Sequence, residues 1–207
     1  MVNTFPETNV AVSVIVGSTR PNRFADKPAR WILEHLQQRP EVTSSLLDLR
    51  DYQLPWFEET VSPAMLGDAT FEDEAVRRWT RDIDASDAFI IVSPEYNHGY
   101  PAVLKNALDY VYREWNRKPV GFVGYGAVSG ARVVEQLRQV AVELQMAPIQ
   151  KAVHLPLPSL VAHIYGGDVP AELAAEDTKA NEMIDELLWW TGALKAARLA
   201  TAELSVR

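Results

Sequence analysis

Residues 88–112, AFIIVSPEYNHGYPAVLKNALDYVY, constrain this chain more than any other stretch. Ala88 to Val92 is a short, unbroken apolar run with β-branched residues. That pattern suits a strand buried on both faces of a parallel sheet. Ser93 to Gly99 then brings Pro, Glu, Tyr, Asn, His and Gly together, which is loop chemistry. Pro101 fits the first position of a helix, where its missing N–H is no loss. Val103, Leu104, Ala107, Leu108 and Val111 follow at helical spacing. The unit is strand, polar-aromatic loop, helix. In open α/β sheets ligands bind outside the carboxyl ends of the strands, so the loop is expected to meet a planar ligand.

The same alternation runs through the chain. Val10 to Val16 is the first strand, and GSTRPNR (Gly17 to Arg23) follows at once. A helix is expected from Phe24 or Ala25, with Ala25, Ala29, Ile32 and Leu36 on one apolar face. A turn that feeds a helix N-terminus is a ready anion site, because backbone N–H groups and the helix dipole point at one place. Here the turn adds two hydroxyls (Ser18, Thr19) and two guanidinium groups (Arg20, Arg23). Those donors suit one terminal phosphate. The lysine of a nucleotide-triphosphate loop is missing, and so is the Gly-x-Gly-x-x-Gly of dinucleotide folds.

Val42 to Leu49 reads as the second strand, followed by about twenty residues without periodicity. Leu54, Trp56 and Phe57 in that loop are expected to cover a ligand, a subunit interface or their own domain. Phe71 to Ala85 reads as a helix with a stripe at Phe71, Ala75, Val76, Trp79 and Ile83. Pro119 to Tyr125 is the fourth strand, Gly126 to Gly130 a short turn and Ala131 to Met146 a helix. Gly124, Gly126 and Gly130 are expected to let backbone approach a flat ligand, with helix–strand packing the competing reading for Gly130. Ile149 to Leu155 is read as a fifth strand and Pro156 to Pro170 as a loop. Ala171 to about Ala200 is read as a long helix that buries Met183, Ile184, Leu187, Leu188 and Leu194, with Trp189 and Trp190 widening that face.

The chain has 207 residues and a formal net charge of -8. One α/β domain is expected over residues 1–207, its core about 10–155 and a C-terminal helical segment about 171–200. Negative charge argues against a nucleic-acid partner. There is no cysteine, which removes disulfides, thiolate nucleophiles and cysteine metal ligands. No apolar run reaches membrane-span length, and the first residues lack the pattern of a signal peptide, so a cytoplasmic protein is expected. The four histidines have no metal-ligand spacing, and His98 is read as a turn residue.

Five strands alternating with five helices predict a parallel sheet with helices on both faces. Loops after the first, third and fourth strands must converge. Strand order 2-1-3-4-5 achieves this, because its switch point lies between the first and third strands.

GSTRPNR, SPEYNHGYPAVLKNALDY and GYGAVSG together resemble the NADPH-dependent FMN reductase family, a flavodoxin-like group that includes quinone, azo-dye and chromate reductases. The resemblance spans about residues 10–150, and its middle motif is the specific one. It implies a flavodoxin-like three-layer sandwich with a five-stranded sheet of order 2-1-3-4-5. It implies bound FMN, with Ser18, Arg20, Arg23 and the amides up to Phe24 on the phosphate. Pro94, Glu95, Tyr96 and Asn97 would line the isoalloxazine, and Gly126 and Ala127 its other edge. Leu104, Lys105, Asn106 and Asp109 would support the loop from the helix. Asn22 stands where relatives often have Gly, and Ala127 and Ala131 stand where a second glycine is common.

The implied activity is hydride transfer from NADPH or NADH to bound FMN and on to a small acceptor, such as a quinone, azo compound, free flavin or metal oxyanion. Ping-pong kinetics and a homodimer or homotetramer are part of that implication. No side chain is needed as acid or base, so no catalytic residue and no metal ligand is assigned. Two rivals carry the same fold: a flavodoxin-like electron carrier that does not use NAD(P)H directly, and a flavin-free regulator.

Overall fold

The computed structural model describes residues 9–66 and 71–205. Four seven-residue strands form the frame: β1 (Val10–Val16), β2 (Val42–Asp48), β3 (Ala88–Pro94) and β4 (Pro119–Tyr125). Every strand pairing is parallel and the order is β2-β1-β3-β4-β5, with β5 at Ala147–Pro148. This is the expected flavodoxin-like sheet. β3 and β4 are buried along their whole length, as unbroken apolar runs in the middle of a parallel sheet should be.

Alternation along the strands divides the core in two. Val12, Val14 and Val16 of β1 with Ile90 and Val92 of β3 face α1 (Asp26–Gln37) and α8 (Asp177–Ser205). Phe89 and Ile91 of β3 with Val120 and Phe122 of β4 face the other way. They meet α3 (Glu74–Asp84), α4 (Ala102–Asp109) and α5 (Ala131–Glu143) through Val76, Trp79, Leu104, Leu108, Val134 and Leu137. The molecule is therefore a three-layer sandwich.

Four readings are corrected. Of the segment 149–155 only β6 (Val153–Leu155) is a strand, paired with the end of β4; β5 lies just before the segment and pairs with the start of β4. The segment after it is not a loop. It forms α6 (Leu157–Tyr165), with prolines at its cap and in its first turn, where they open a helix rather than break one. A short α7 (Val169–Ala174) precedes α8, which starts at Asp177 and buries Met183, Ile184 and Leu187 while leaving Trp189 and Trp190 substantially exposed. Finally, β2 stops at Asp48, whose carboxylate accepts from the Arg50 N–H and opens the one-turn α2 (Leu49–Tyr52).

The long loop after α2 folds back on its own domain. The Phe57 N–H donates to the Asn106 amide oxygen at 2.8 Å, and the Asn106 NH2 donates to the Pro55 carbonyl at 2.7 Å. The Tyr110 hydroxyl reaches the Trp56 carbonyl, and the Phe57 ring meets Tyr110 edge-on. Asn106 thus supports this loop rather than its own. Of Leu54, Trp56 and Phe57, the Trp56 side chain is the one that points outward, 70% exposed.

Candidate active site

Loops leave the carboxyl ends of β1, β3 and β4 side by side. Gly17 closes the first against β3: its N–H donates to the Val92 carbonyl at 2.9 Å, and a β-carbon there would lie 2.9 Å from the Leu104 side chain. Asn22 turns the chain in the left-handed region, φ 50°, which asparagine tolerates. The chain then enters α1, whose N-terminus has no side-chain cap. Its first N–H groups lack intrahelical partners by construction.

The two arginines of this turn have different fates. Arg20 is exposed and lies 5.7 Å from the centre of the Tyr96 ring. Arg23 is buried, and its guanidinium is committed within the protein. It donates to both oxygens of Asp48, to Asp26 Oδ1 at 2.7 Å and to the Ser18 carbonyl. Burial works against the Arg23 charge, but the two aspartates more than restore it and its pKa is raised. Burial alone would raise the Asp48 carboxyl; hydrogen bonds from Arg23 and Arg50 outweigh it and hold the group below the usual carboxylate range.

The third loop is a two-residue hairpin. Tyr96 and Gly99 exchange both backbone hydrogen bonds, at 2.8 and 2.9 Å, and Asn97 and His98 between them both have positive φ. That is the geometry of a type I′ turn, for which asparagine is well suited. His98 is a turn residue, and Asn97 sits exposed at the tip. Tyr96 points back across the first loop, its hydroxyl 3.1 Å from the Ser18 Oγ. Glu95 is turned away: one carboxylate oxygen accepts from the Arg132 N–H in the first turn of α5, the other from the Arg132 guanidinium. The Glu95 N–H donates to the Tyr125 carbonyl at 2.8 Å, so third and fourth loops are zipped together.

The fourth-loop glycines separate by role. A β-carbon on Gly124 would lie 2.8 Å from the Gly130 carbonyl oxygen, and one on Gly130 would lie 2.7 Å from the Gly124 Cα. Both serve the packing of α5 on β4, so the expectation that they approach a ligand is corrected. Gly126 alone of the three lines the cleft, with φ 152° and Glu95 Cβ 3.1 Å from where its own would stand.

The three loops enclose an open cleft of about 290 Å³. Arg20, Arg23, Phe24, Pro94, Glu95, Tyr96, Gly126 and Ala127 all line it. Ser18 lies buried beneath it and Asn97 lies outside. The cleft also takes residues that sequence reasoning missed: Tyr125, and Leu160, His163 and Ile164 of α6. Tyr125 ends β4, and a polar aromatic residue beside a loop glycine was the available signal. Burial pushes its phenol well above the usual range, the Tyr96 phenol adds to this, and Arg23 and the Ala25 N–H oppose it. The α6 residues were hidden because their segment reads as a proline-bearing loop.

The sequence profile of the NADPH-dependent FMN reductase family matches residues 10–157. The chain belongs to this family. It is thereby an oxidoreductase of a family that uses NAD(P)H and FMN. It is 36% identical over 164 residues to an NAD(P)H-dependent FMN reductase of Schizosaccharomyces pombe, covering 76% of this chain and 82% of the relative. It is 32% identical over 147 residues to a quinone reductase of Pseudomonas putida, covering 68% of this chain and 74% of that one. Among solved structures, FerB, a flavoenzyme NAD(P)H:(acceptor) oxidoreductase from Paracoccus denitrificans, has the same fold. Its TM-score is 0.64 at 24% identity, over 87% of this chain and 97% of that one. This FMN reductase family member keeps all three motif loops in one cleft, while α6 stands almost wholly beyond the matched residues.

Proposed function

We propose that the cleft holds FMN, and that the protein moves hydride from NADPH or NADH to that cofactor and on to a small acceptor: a quinone, azo compound, free flavin or metal oxyanion. One observation carries the reading. Eight of the ten expected site residues, from three separate loops, line a single cleft at the carboxyl ends of β1, β3 and β4. The residues fit the group. An uncapped helix N-terminus and the exposed Arg20 guanidinium stand together, which is the donor set a phosphate monoester needs. Gly126 and Ala127, beside Glu95, add wall without bulk.

In this reading Arg20 and the amides through Phe24 hold the phosphate. Ser18, beneath the turn, acts by fixing the Tyr96 hydroxyl. Arg23 shapes the turn through Asp48 and Asp26 instead of binding the anion. When bound, FMN supplies a two-electron carrier that takes hydride from the nicotinamide and passes electrons to the acceptor. The chain's own work is to bind, orient and exclude water, with no side chain assigned as acid or base. Relatives named quinone reductase in Pseudomonas putida and FMN-dependent NADPH-azoreductase in Staphylococcus aureus support the quinone and azo acceptors. We propose further a cytoplasmic homodimer or homotetramer, supported by Trp56 and Met65, which are 70% and 80% exposed on one loop.

Steady-state NAD(P)H oxidation by FMN-loaded protein, with a quinone as acceptor and no added reductase, tests the function. Two half-reactions sharing one site give parallel double-reciprocal lines as the quinone is varied at several NADPH concentrations. Flavin that NADPH and NADH leave oxidised, yet a reduced protein partner reduces, would establish the electron carrier instead.

A further inference from the structure

Helix α6 contributes Leu160, His163 and Ile164 to the cleft, and all three lie beyond the residues matched by the family profile. His163 is the one that touches the first loop. Its Nε2 is 2.9 Å from the Asn22 carbonyl oxygen, and its ring centre is 5.5 Å from that of Phe24. Phe24 in turn meets Tyr125 edge-on at 5.0 Å. Asn22 is the residue that turns the chain with positive φ, where an L side chain is disfavoured. Its carbonyl accepts from the Nε2–H, a contact that holds that conformation in place. The contact spans 141 residues of sequence, so nothing local enforces it.

We propose that His163 is a positioning residue for the phosphate turn: α6 is a clasp whose imidazole pins Asn22 and Phe24, preorganising the amides and Arg20 for the cofactor's phosphate. The inference rests on the FMN reading above. Preorganisation strengthens binding because the turn then loses less freedom when the anion arrives. The clasp acts on the phosphate end, so it distinguishes a flavin with phosphate from one without.

The test is titration of the apoprotein with FMN and with riboflavin, for wild type, His163→Ala and His163→Gln, alongside thermal melting of each. His163→Ala should weaken FMN by about tenfold and leave riboflavin nearly unchanged, the scale of one lost hydrogen bond. His163→Gln keeps a side-chain N–H donor and should recover most of that loss. Equal weakening of both flavins would make His163 a merely structural support for α6 and overturn the proposal, as would unchanged FMN affinity in His163→Ala. A wild type that fails to distinguish FMN from riboflavin would instead overturn the phosphate reading on which the inference stands.

Discussion

Two arginines three residues apart divide binding from folding. Arg20 is exposed beside the uncapped N-terminus of α1, whereas Arg23 is buried against Asp48 and Asp26. Arg20→Ala should therefore raise the FMN dissociation constant by roughly ten- to a hundredfold, the loss of one charge-assisted bond of about 1.5–3 kcal/mol. Riboflavin affinity and melting temperature should stay close to wild type. Arg23→Met should do the reverse. It takes the buried partner from part-buried Asp48, which keeps Arg50, and breaking a buried ion pair costs about 3–5 kcal/mol. Asp26 is one-third exposed and can be solvated, so the lower part of that range is expected, read by urea unfolding. The Asp48 carboxyl is held below its usual range, so its share of stability is present above about pH 4 and fades as pH falls through the depressed value. The sequence could place Arg23 in the turn but not tell its partner, because Asp48 lies 25 residues away on β2.

At the scale of elements, β4 and α5 are joined by contact between Gly124 and Gly130. Gly130 has φ 67°, and any β-carbon on it meets the β4 backbone. Gly130→Ala should cost more than about 1 kcal/mol, since both strain and overlap act in the folded state. Chemical denaturation measures it; a loss within error of wild type would show that the helix can shift away from the strand. What was legible in sequence at this scale follows from pattern strength. Ala88–Val92 is an unbroken apolar run, Val10–Val16 is apolar at six of seven positions and Pro119–Tyr125 is broken only by glycines; all three are strands within two residues of the expected bounds. The stretch 149–155 mixes Gln150, Lys151 and His154 with apolar residues, and the sheet takes only its last three, Val153–Leu155. In α6 the signal misled: Pro156 and Pro158 read as loop chemistry, yet at a helix start proline loses no hydrogen bond. That misreading removed His163, Leu160 and Ile164 from the candidate site. Eight of the ten named site residues still line the cleft, because short loops at strand ends leave little choice of where they gather.

Across the whole molecule, the cleft and the charge cluster around Asp87 and Lys118 sit at opposite ends of the sheet. At the amino ends of β3 and β4, Asp87 pairs with Lys195 and Arg198 of α8, tying the last helix to the frame. Beside them Lys118, just before β4, is buried and donates to the Ile83 and Asp84 carbonyls at the end of α3, 2.9 Å each. Burial pushes its ammonium down from the ordinary 10.5 to about 8; Asp84, Asp87 and Glu114 resist that change and Arg198 adds to it. The unfolded chain therefore binds a proton that the native state lacks between about pH 8 and pH 10.5, so stability should rise with pH across that interval. The rise is limited at its upper end by Tyr52 and Tyr125. Burial raises both phenols above 10, so above that pH the folded state is the one holding extra protons and stability turns down. Unfolding free energy measured from pH 7.5 to 10 should climb by an amount on the order of 2 kcal/mol, at 1.36 kcal/mol per pH unit of full linkage. Lys118→Met should abolish the climb whatever its effect on stability at pH 7.5. FMN affinity should remain that of wild type, since the cleft is at the other end of the strands. Parallel pH profiles for the two proteins would show that Lys118 is solvated well enough in the native state to keep its ordinary pKa.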